Sequence, residues 1–439
     1  MPPPLPVDTL IEARWIIPIE PPGVTLDHHA IAVDDGCIVA VLPVEQARER
    51  FQPRHTARLP RQVLIPGLVN LHTHAAMSLL RGYADDICLT DWLKRRIWPA
   101  EARHVSPAFV RDGTLLACAE MLRGGVTCFN DMYYHPEVAA QSALRLGMRA
   151  ALGIVTSEIP TPYAADADDY LSKGLAARDG LRDEPLISFC MAPHAPHSVT
   201  DRSFERIATL AAQLDLPIHL HLHETRAEIE DSLKQFGVRP MERLHRLGLL
   251  GTNLIAVHAV HLDAGEIDLL AEHGCTVAHC PTANMKLSTG IAPVTALARK
   301  SVKLGLGTDG AASNNRLDMF REMNHAALLA KVASGDATAL DAHRVLHMAT
   351  LAGAAALGLD NAIGSLVEGK QADLCAVRLD DPSLLPCFDP AAHLVHAAGR
   401  EHVSHVWVAG AMTVTEGTLS NIEVPELLDI GNLWHNKLN

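Results

Sequence analysis

The chain has 439 residues, 48% of them hydrophobic and 20% charged, with a formal net charge of −14. That is enough apolar chain for a large buried core, and an acidic total without a basic stripe excludes the usual binders of nucleic acid and anionic membrane. The nine cysteines contain no C-x-x-C pair, which argues against a zinc ribbon and for scattered reduced thiols in a cytoplasmic protein.

In chain order, the opening "MPPPLPVDTL" lacks the basic-then-apolar pattern of a secretory leader. No apolar run approaches the ~20 residues of a bilayer span. Residues 7–60 read as β-rich, and "AIAVDDGCIVAVLP" (Ala30–Pro43) is two apolar runs joined at Asp34-Asp35-Gly36, a hairpin signal. From residue 63 the rhythm changes, and short apolar runs alternate with helical stretches. The predicted strands are Val63–His74, Val126–Asp131, Arg149–Thr156, Leu186–His194, Pro217–Glu224, Leu254–Val260, Thr276–Pro281 and Val302–Asp309. These eight units in tandem predict an α/β fold, a (β/α)8 TIM-type barrel. After the first strand, "LTDWLKRRIWPAEARHVSP" is a connection long enough to carry function. Beyond the barrel, "ADLCAVRLD" (Ala372–Asp380) and "HVSHVWVAGAMTVTEG" (His402–Gly417) return to alternating strands. Neither end has strands enough to stand alone, so both termini are expected to meet in one small β-sandwich. The expected division is 1–64 and 365–439 for the sandwich and tail, with the barrel over 65–364.

The polar groups of interest sit at strand ends. "PGLVNLHTH" closes on His72 and His74, which as i and i+2 share one face of a strand. Two converging imidazoles are half of a first-row metal site, and the carboxyl end of a barrel strand is where such sites are built. The fifth predicted strand ends His219-Leu220-His221-Leu222-His223-Glu224, the sixth holds His258, and the eighth ends in Asp309. Alternation puts His219, His221 and His223 on one face, and the period does not choose between them.

The set "PGLVNLHTH…HLHETRAE…AVHAVHL…HCPTANMKL…GTDG", with "IGSLVEGKQADLCAV" (Ile363–Val377) near the end, resembles the amidohydrolase superfamily. Within it, the chain is similar to the 5′-methylthioadenosine/S-adenosylhomocysteine deaminase branch. The resemblance implies one divalent ion, Zn2+ by default, held by His72, His74, His221 and Asp309. It implies Glu224 as proton shuttle, His258 as the histidine that orients the attacking water, and Asp309 as base. His219 and His223 then become structural. The fourth strand "LISFCMAPH" lacks the lysine that binuclear relatives carry there, which favours a single ion. No P-C-x-x-C is present, which excludes the cytidine-deaminase type of zinc site.

The resemblance also implies a small nucleoside substrate, with Trp92 packing on the purine, Glu101 accepting from the ribose hydroxyls, and His194 and Glu224 contacting the substrate. A homodimer is the family-like expectation, without nucleic acid or membrane. His279 and Asn284 are read as loop-ordering groups, and His197 as a residue behind the site or in its loop. The expected reaction is hydrolytic deamination at a cyclic amidine, of methylthioadenosine first and adenosine or S-adenosylhomocysteine next. One departure bears on that order: "ALGIVTSEIPTPYAADADDYL" (Ala151–Leu171) has acids and no arginine, where relatives hold the amino-acid tail's carboxylate. Arg149, Arg178 and Arg182 flank it. Two other readings stay open: a guanine- or triazine-type deaminase or chlorohydrolase, and a metal-loaded barrel without catalysis.

Overall fold

The computed structural model describes residues 3–439; residues 1 and 2, at the head of the proline-rich opening, lie outside the described residues. Eight parallel strands follow one another round one sheet in chain order. They are Leu68–Thr73, Val126–Asp131, Arg149–Thr156, Ile187–Pro193, Ile218–Leu222, Leu254–His258, Thr276–His279 and Lys303–Leu306, strands one to eight below. Each lies inside the run predicted for it. Strand eight returns to strand one: the Asp309 amide donates to the His72 carbonyl at 3.0 Å, and the Thr308 amide to Asn70 Oδ1 at 2.9 Å. The interior is filled by Val69, Leu71, Cys128, Ala151, Ile255, Val257 and Ala278, a packed layer of small and branched side chains rather than a pore.

The first predicted run, Val63–His74, is two elements. Residues up to Pro66 finish a long strand, Phe51–Pro66, of the other sheet, and the barrel begins at Leu68. The residue between them has no room for a side chain, since a Cβ on Gly67 would lie 2.1 Å from Thr127 Oγ1. An unbroken apolar run hid the change of sheet, because both sheets bury this stretch.

The second sheet joins the two termini. Leu5–Ile16, Leu26–Asp34, Cys37–Pro43 and Phe51–Pro66 come from the front of the chain, and Leu374–Arg378, Val403–Val408, Ala411–Thr415 and Thr418–Leu419 from the rear. They meet where Phe51–Pro66 pairs antiparallel with Leu374–Arg378. The hairpin turns at Asp35 and Gly36, with φ of 46° and 73°, the left-handed pair such a turn requires. That turn folds back on the rear segment, the Ile38 amide donating to the Lys370 carbonyl at 2.8 Å. One apolar cluster runs beneath it from Ile38 through Ile31, Ile11 and Leu64 to Trp407, a core to which both ends of the chain contribute within this one eight-stranded sheet. The last helix, Val424–Leu438, returns to the barrel, where Trp434 Nε1 donates to Asp112 Oδ2 at 2.7 Å. Among the described residues no helix is long and apolar enough to cross a membrane.

Candidate active site

His72 is the fifth residue of strand one and His74 follows its end, His221 lies in strand five, His258 ends strand six, and Asp309 follows strand eight. The carboxyl ends of these strands bring all five side chains to one mouth of the barrel. The rings of His72 and His74 are 4.8 Å apart, His72 and His221 4.9 Å, and His221 and His258 5.5 Å. Asp309 Oδ1 lies 3.4 Å from His72 Nε2 and 3.3 Å from His74 Nε2. Ligand atoms of His72, His74 and Asp309 fall within 4.8 Å of one another, as do those of His72, His221 and His258. The backbone is bent to achieve this, with φ of +69° at His258 and +62° at Asp309, positions that cost roughly 1–3 kcal/mol each for non-glycine residues.

Every ring is committed through Nδ1. His74 Nδ1 donates to the Met132 carbonyl at 2.7 Å, His221 Nδ1 to the His194 carbonyl at 2.7 Å, and His258 Nδ1 to Asn284 Oδ1 at 2.8 Å. His72 Nδ1 lies 2.9 Å from His219 Nε2, and donating to it leaves His72 in the same tautomer as the others. Nε2 is thereby left as a lone pair on each ring, the tautomer a metal ligand needs. His72 Nε2 is buried without any hydrogen-bond partner, an orphan that a cation would satisfy. A divalent ion fits these residues. Borderline imidazole and hard carboxylate donors suit zinc first and iron or manganese next. Burial pushes His72 down to about 4, so its ring is neutral and ready to bind at physiological pH.

The fit depends on backbone at strand eight. A Cβ on Gly307 would lie 2.8 Å from the His72 amide nitrogen and 2.9 Å from its Cβ. Gly307→Ala is therefore expected to displace His72 and to lower metal affinity by about tenfold or more, as loss of ligand support does elsewhere. Metal content after dialysis against a weak chelator checks it, with circular dichroism confirming the fold.

Two carboxyls face the cluster with opposite electrostatics. Burial raises Glu224 above its ordinary value, and the attraction of His258, whose Nε2 is 3.9 Å away, does not cancel it. Burial also acts to raise Asp309, but the imidazoles of His72, His74 and His258 around it outweigh burial and hold Asp309 well below the usual carboxylate range. Asp309 is further fixed by the Gly310 amide at 2.7 Å and the Ser313 hydroxyl at 2.6 Å. Glu224 is placed by its own amide, which donates to Glu228 Oε2 at 3.0 Å. Two carboxyls on one centre whose environments push them in opposite directions are the pattern of an acid–base pair.

A cavity of about 400 Å³ opens above this centre, lined by His74, His194, His221, Glu224, His258 and Asp309 at its floor. Trp92, Glu101, Trp98 and Tyr133 line its wall. The long connection after strand one is helical rather than loop. It runs Leu89–Trp92, then a π-helical turn Leu93–Ile97, then Trp98–His104. The wider turn, a device common at functional sites, falls between Trp92 and Glu101. Trp92 is 5% exposed and Glu101 8%, so Glu101 is not a solvated helix-face charge. His194 also lines the cavity, its Nδ1 bonded to Ser198 Oγ at 3.0 Å, and burial lowers it to about 3.

One reading needs correction. His223 does not share a face with His219 and His221. Strand five ends at Leu222, His223 has φ of +54°, and its Nε2 accepts from the Met241 amide on the outer side. His197, expected behind the site or in its loop, lies at the cavity lining. Arg149 begins strand three at the opposite end of the barrel, where it pairs with Asp373 at 3.2 Å, while Arg178 and Arg182 pair with neighbouring aspartates; none lines the cavity. Among the described residues, Lys94 is the one lysine or arginine in the cavity lining. Sequence reasoning missed Ser313 and Tyr133 and gave Asn284 too general a task. The "HCPTAN" and "GTDGAAS" stretches after strands seven and eight were the only signal for Asn284 and Ser313.

An ion-ready cluster at this mouth of a parallel barrel is the hallmark of metal-dependent hydrolases. The chain belongs to the amidohydrolase family, which matches residues 63–413. It is 43% identical over 433 residues to a 5-methylthioadenosine/S-adenosylhomocysteine deaminase of Saccharophagus degradans, covering 99% of this chain and 97% of the relative. A crystal structure of an adenosine deaminase from Xanthomonas campestris with bound zinc superposes with a TM-score of 0.98 at 50% identity, covering 99% of both chains. The guanine deaminase of E. coli superposes with a TM-score of 0.83 at 22% identity over 93% of this chain and 99% of that one, a likeness of fold alone.

Proposed function

We propose that this protein hydrolytically deaminates an adenosine-type nucleoside, methylthioadenosine or adenosine ahead of S-adenosylhomocysteine, to the inosine-type product and ammonia. The observation that carries this reading is the convergence of His72, His74, His221, His258 and Asp309 at one mouth, with Glu224 beside them, below a cavity walled by Trp92 and Glu101. The relatives' printed activities support it.

In this reading His72, His74, His221 and Asp309 hold one divalent ion, most simply Zn2+. A bound ion of this kind supplies a water acidified to near neutral pH. Glu224 gives its proton to the ring nitrogen beside C6, which makes that carbon electrophilic. Asp309 takes the proton that the attacking water loses and passes it to the departing amino group, which leaves as ammonia, and the water's second proton returns to Glu224 as the C6 carbonyl forms. His258, fixed through Asn284, orients the water. Trp92 packs on the purine, Glu101 accepts from the ribose hydroxyls, and His194 lies against the substrate. The domain limits 1–64, 65–364 and 365–439 belong to the same reading, supported by the change of sheet between Pro66 and Leu68. So do a homodimer and a cytoplasmic setting, the latter supported by nine unpaired cysteines.

Ammonia release from methylthioadenosine, adenosine, S-adenosylhomocysteine, guanine and a chlorotriazine tests it. Methylthioadenosine and adenosine should lead. S-adenosylhomocysteine should trail in kcat/KM by roughly tenfold or more, because the described cavity lining offers Lys94 as its single lysine or arginine for a tail carboxylate, against several acids. Turnover of guanine or the triazine alone would overturn the proposal.

A further inference from the structure

Glu101 is a buried carboxyl with a single side-chain donor. Tyr133 Oη donates to its Oε1 at 2.7 Å, and among the described residues no lysine, arginine or histidine forms an ion pair with it. Tyr133 is 5% exposed, Glu101 8%, and both line the cavity. A carboxylate offers about four lone-pair sites, so most of its accepting capacity is unspent. Desolvation raises Glu101 to about 7 against the opposing hydrogen bond from Tyr133, which favours the ionised, accepting form.

The phenol is itself held from behind. Its ring stacks on Phe109 with centroids 6.4 Å apart, and Phe109 meets Trp434 edge-on at 5.2 Å. Tyr133 also follows Met132 directly, and the Met132 carbonyl takes His74 Nδ1. One short segment after strand two therefore fixes both a ligand of the ion and the carboxyl on the cavity wall. A rigid link of this kind sets the distance between the reacting ring and the sugar.

Resting on the deaminase reading above, we infer that Tyr133 is a specificity-positioning residue: by holding one oxygen of Glu101 it aims the remaining acceptors at a vicinal diol, so that the site selects ribosides over dideoxyribosides. Tyr133 acts through Glu101 and takes no part in bond making. Its hydroxyl is lost in Tyr133→Phe, while the ring that packs on Phe109 is kept.

The test is steady-state deamination of adenosine and 2′,3′-dideoxyadenosine by the metal-loaded protein and by Tyr133→Phe, Glu101→Gln and the double variant, with thermal melting of each. Tyr133→Phe should raise KM for adenosine by roughly tenfold, the worth of one hydrogen bond to a charged group, with kcat within about threefold. Its parameters for the dideoxy substrate should change less than about twofold. The double variant should match Glu101→Gln, because Tyr133 has no other route to the sugar. Equal loss on both substrates, or no loss on either, overturns the role of Tyr133. Selective loss in Glu101→Gln with Tyr133→Phe like the parent overturns it too, while leaving the diol reading of Glu101 intact. Failure of the parent protein to deaminate either nucleoside would overturn the deaminase reading itself and this inference with it.

Discussion

Glu224→Gln is expected to lower kcat by about 10²–10⁴-fold, the range that a positioned general acid supplies, with metal content unchanged. Glutamine keeps the shape and a hydrogen-bond donor but has no proton to release. The carboxyl stands apart from the ligand set. Its nearest imidazole nitrogen, His258 Nε2, is 3.9 Å away, and the ligand triads do not include it. The backbone there is held by Glu228 and is unaffected by the change. Loss of the ion from Glu224→Gln would assign Glu224 to the metal, and full turnover would remove it from the chemistry. The pair of measurements, kcat and metal per subunit, separates these outcomes.

The barrel was legible because its strands are apolar runs of the length a parallel strand needs, and the site because imidazoles and carboxylates end those runs. What was illegible lies one step out. Asn284 and Ser313 follow strands seven and eight, and only the return of each short helix over the mouth turns them onto His258 and Asp309. Tyr133 is one aromatic among several in "DMYYHPE", and nothing in that string says that it meets Glu101, thirty-two positions earlier. His223 shows the limit of period-two reasoning, which holds only while the strand lasts. Arg149 shows another: proximity to a strand in sequence does not say which end of the barrel a side chain occupies. It sits at the start of strand three and ties the barrel to Asp373.

Removal of the ion is expected to abolish activity and to lower Tm by several degrees, with both restored on adding zinc. Without an ion, the His72 Nε2 stays fully buried and unpartnered, at a cost of roughly 1–3 kcal/mol. With the ion at a hundred times its Kd, mass action alone stabilises the folded state by about 2.7 kcal/mol. The ion-free protein should also have a pH dependence of known sign. Burial holds His72 at about 4 and His194 at about 3 in the folded chain, against about 6.5 when unfolded. Between those values the unfolded chain binds more protons, so stability falls as pH is lowered from about 6.5 towards 4 and below. Melting curves of chelator-treated and zinc-restored protein, taken from pH 7.5 to 4.5, read both effects. A Tm unmoved by chelation would mean that the five converging side chains satisfy one another without an ion. A Tm flat across that pH range would mean that His72 and His194 are not held neutral by the fold.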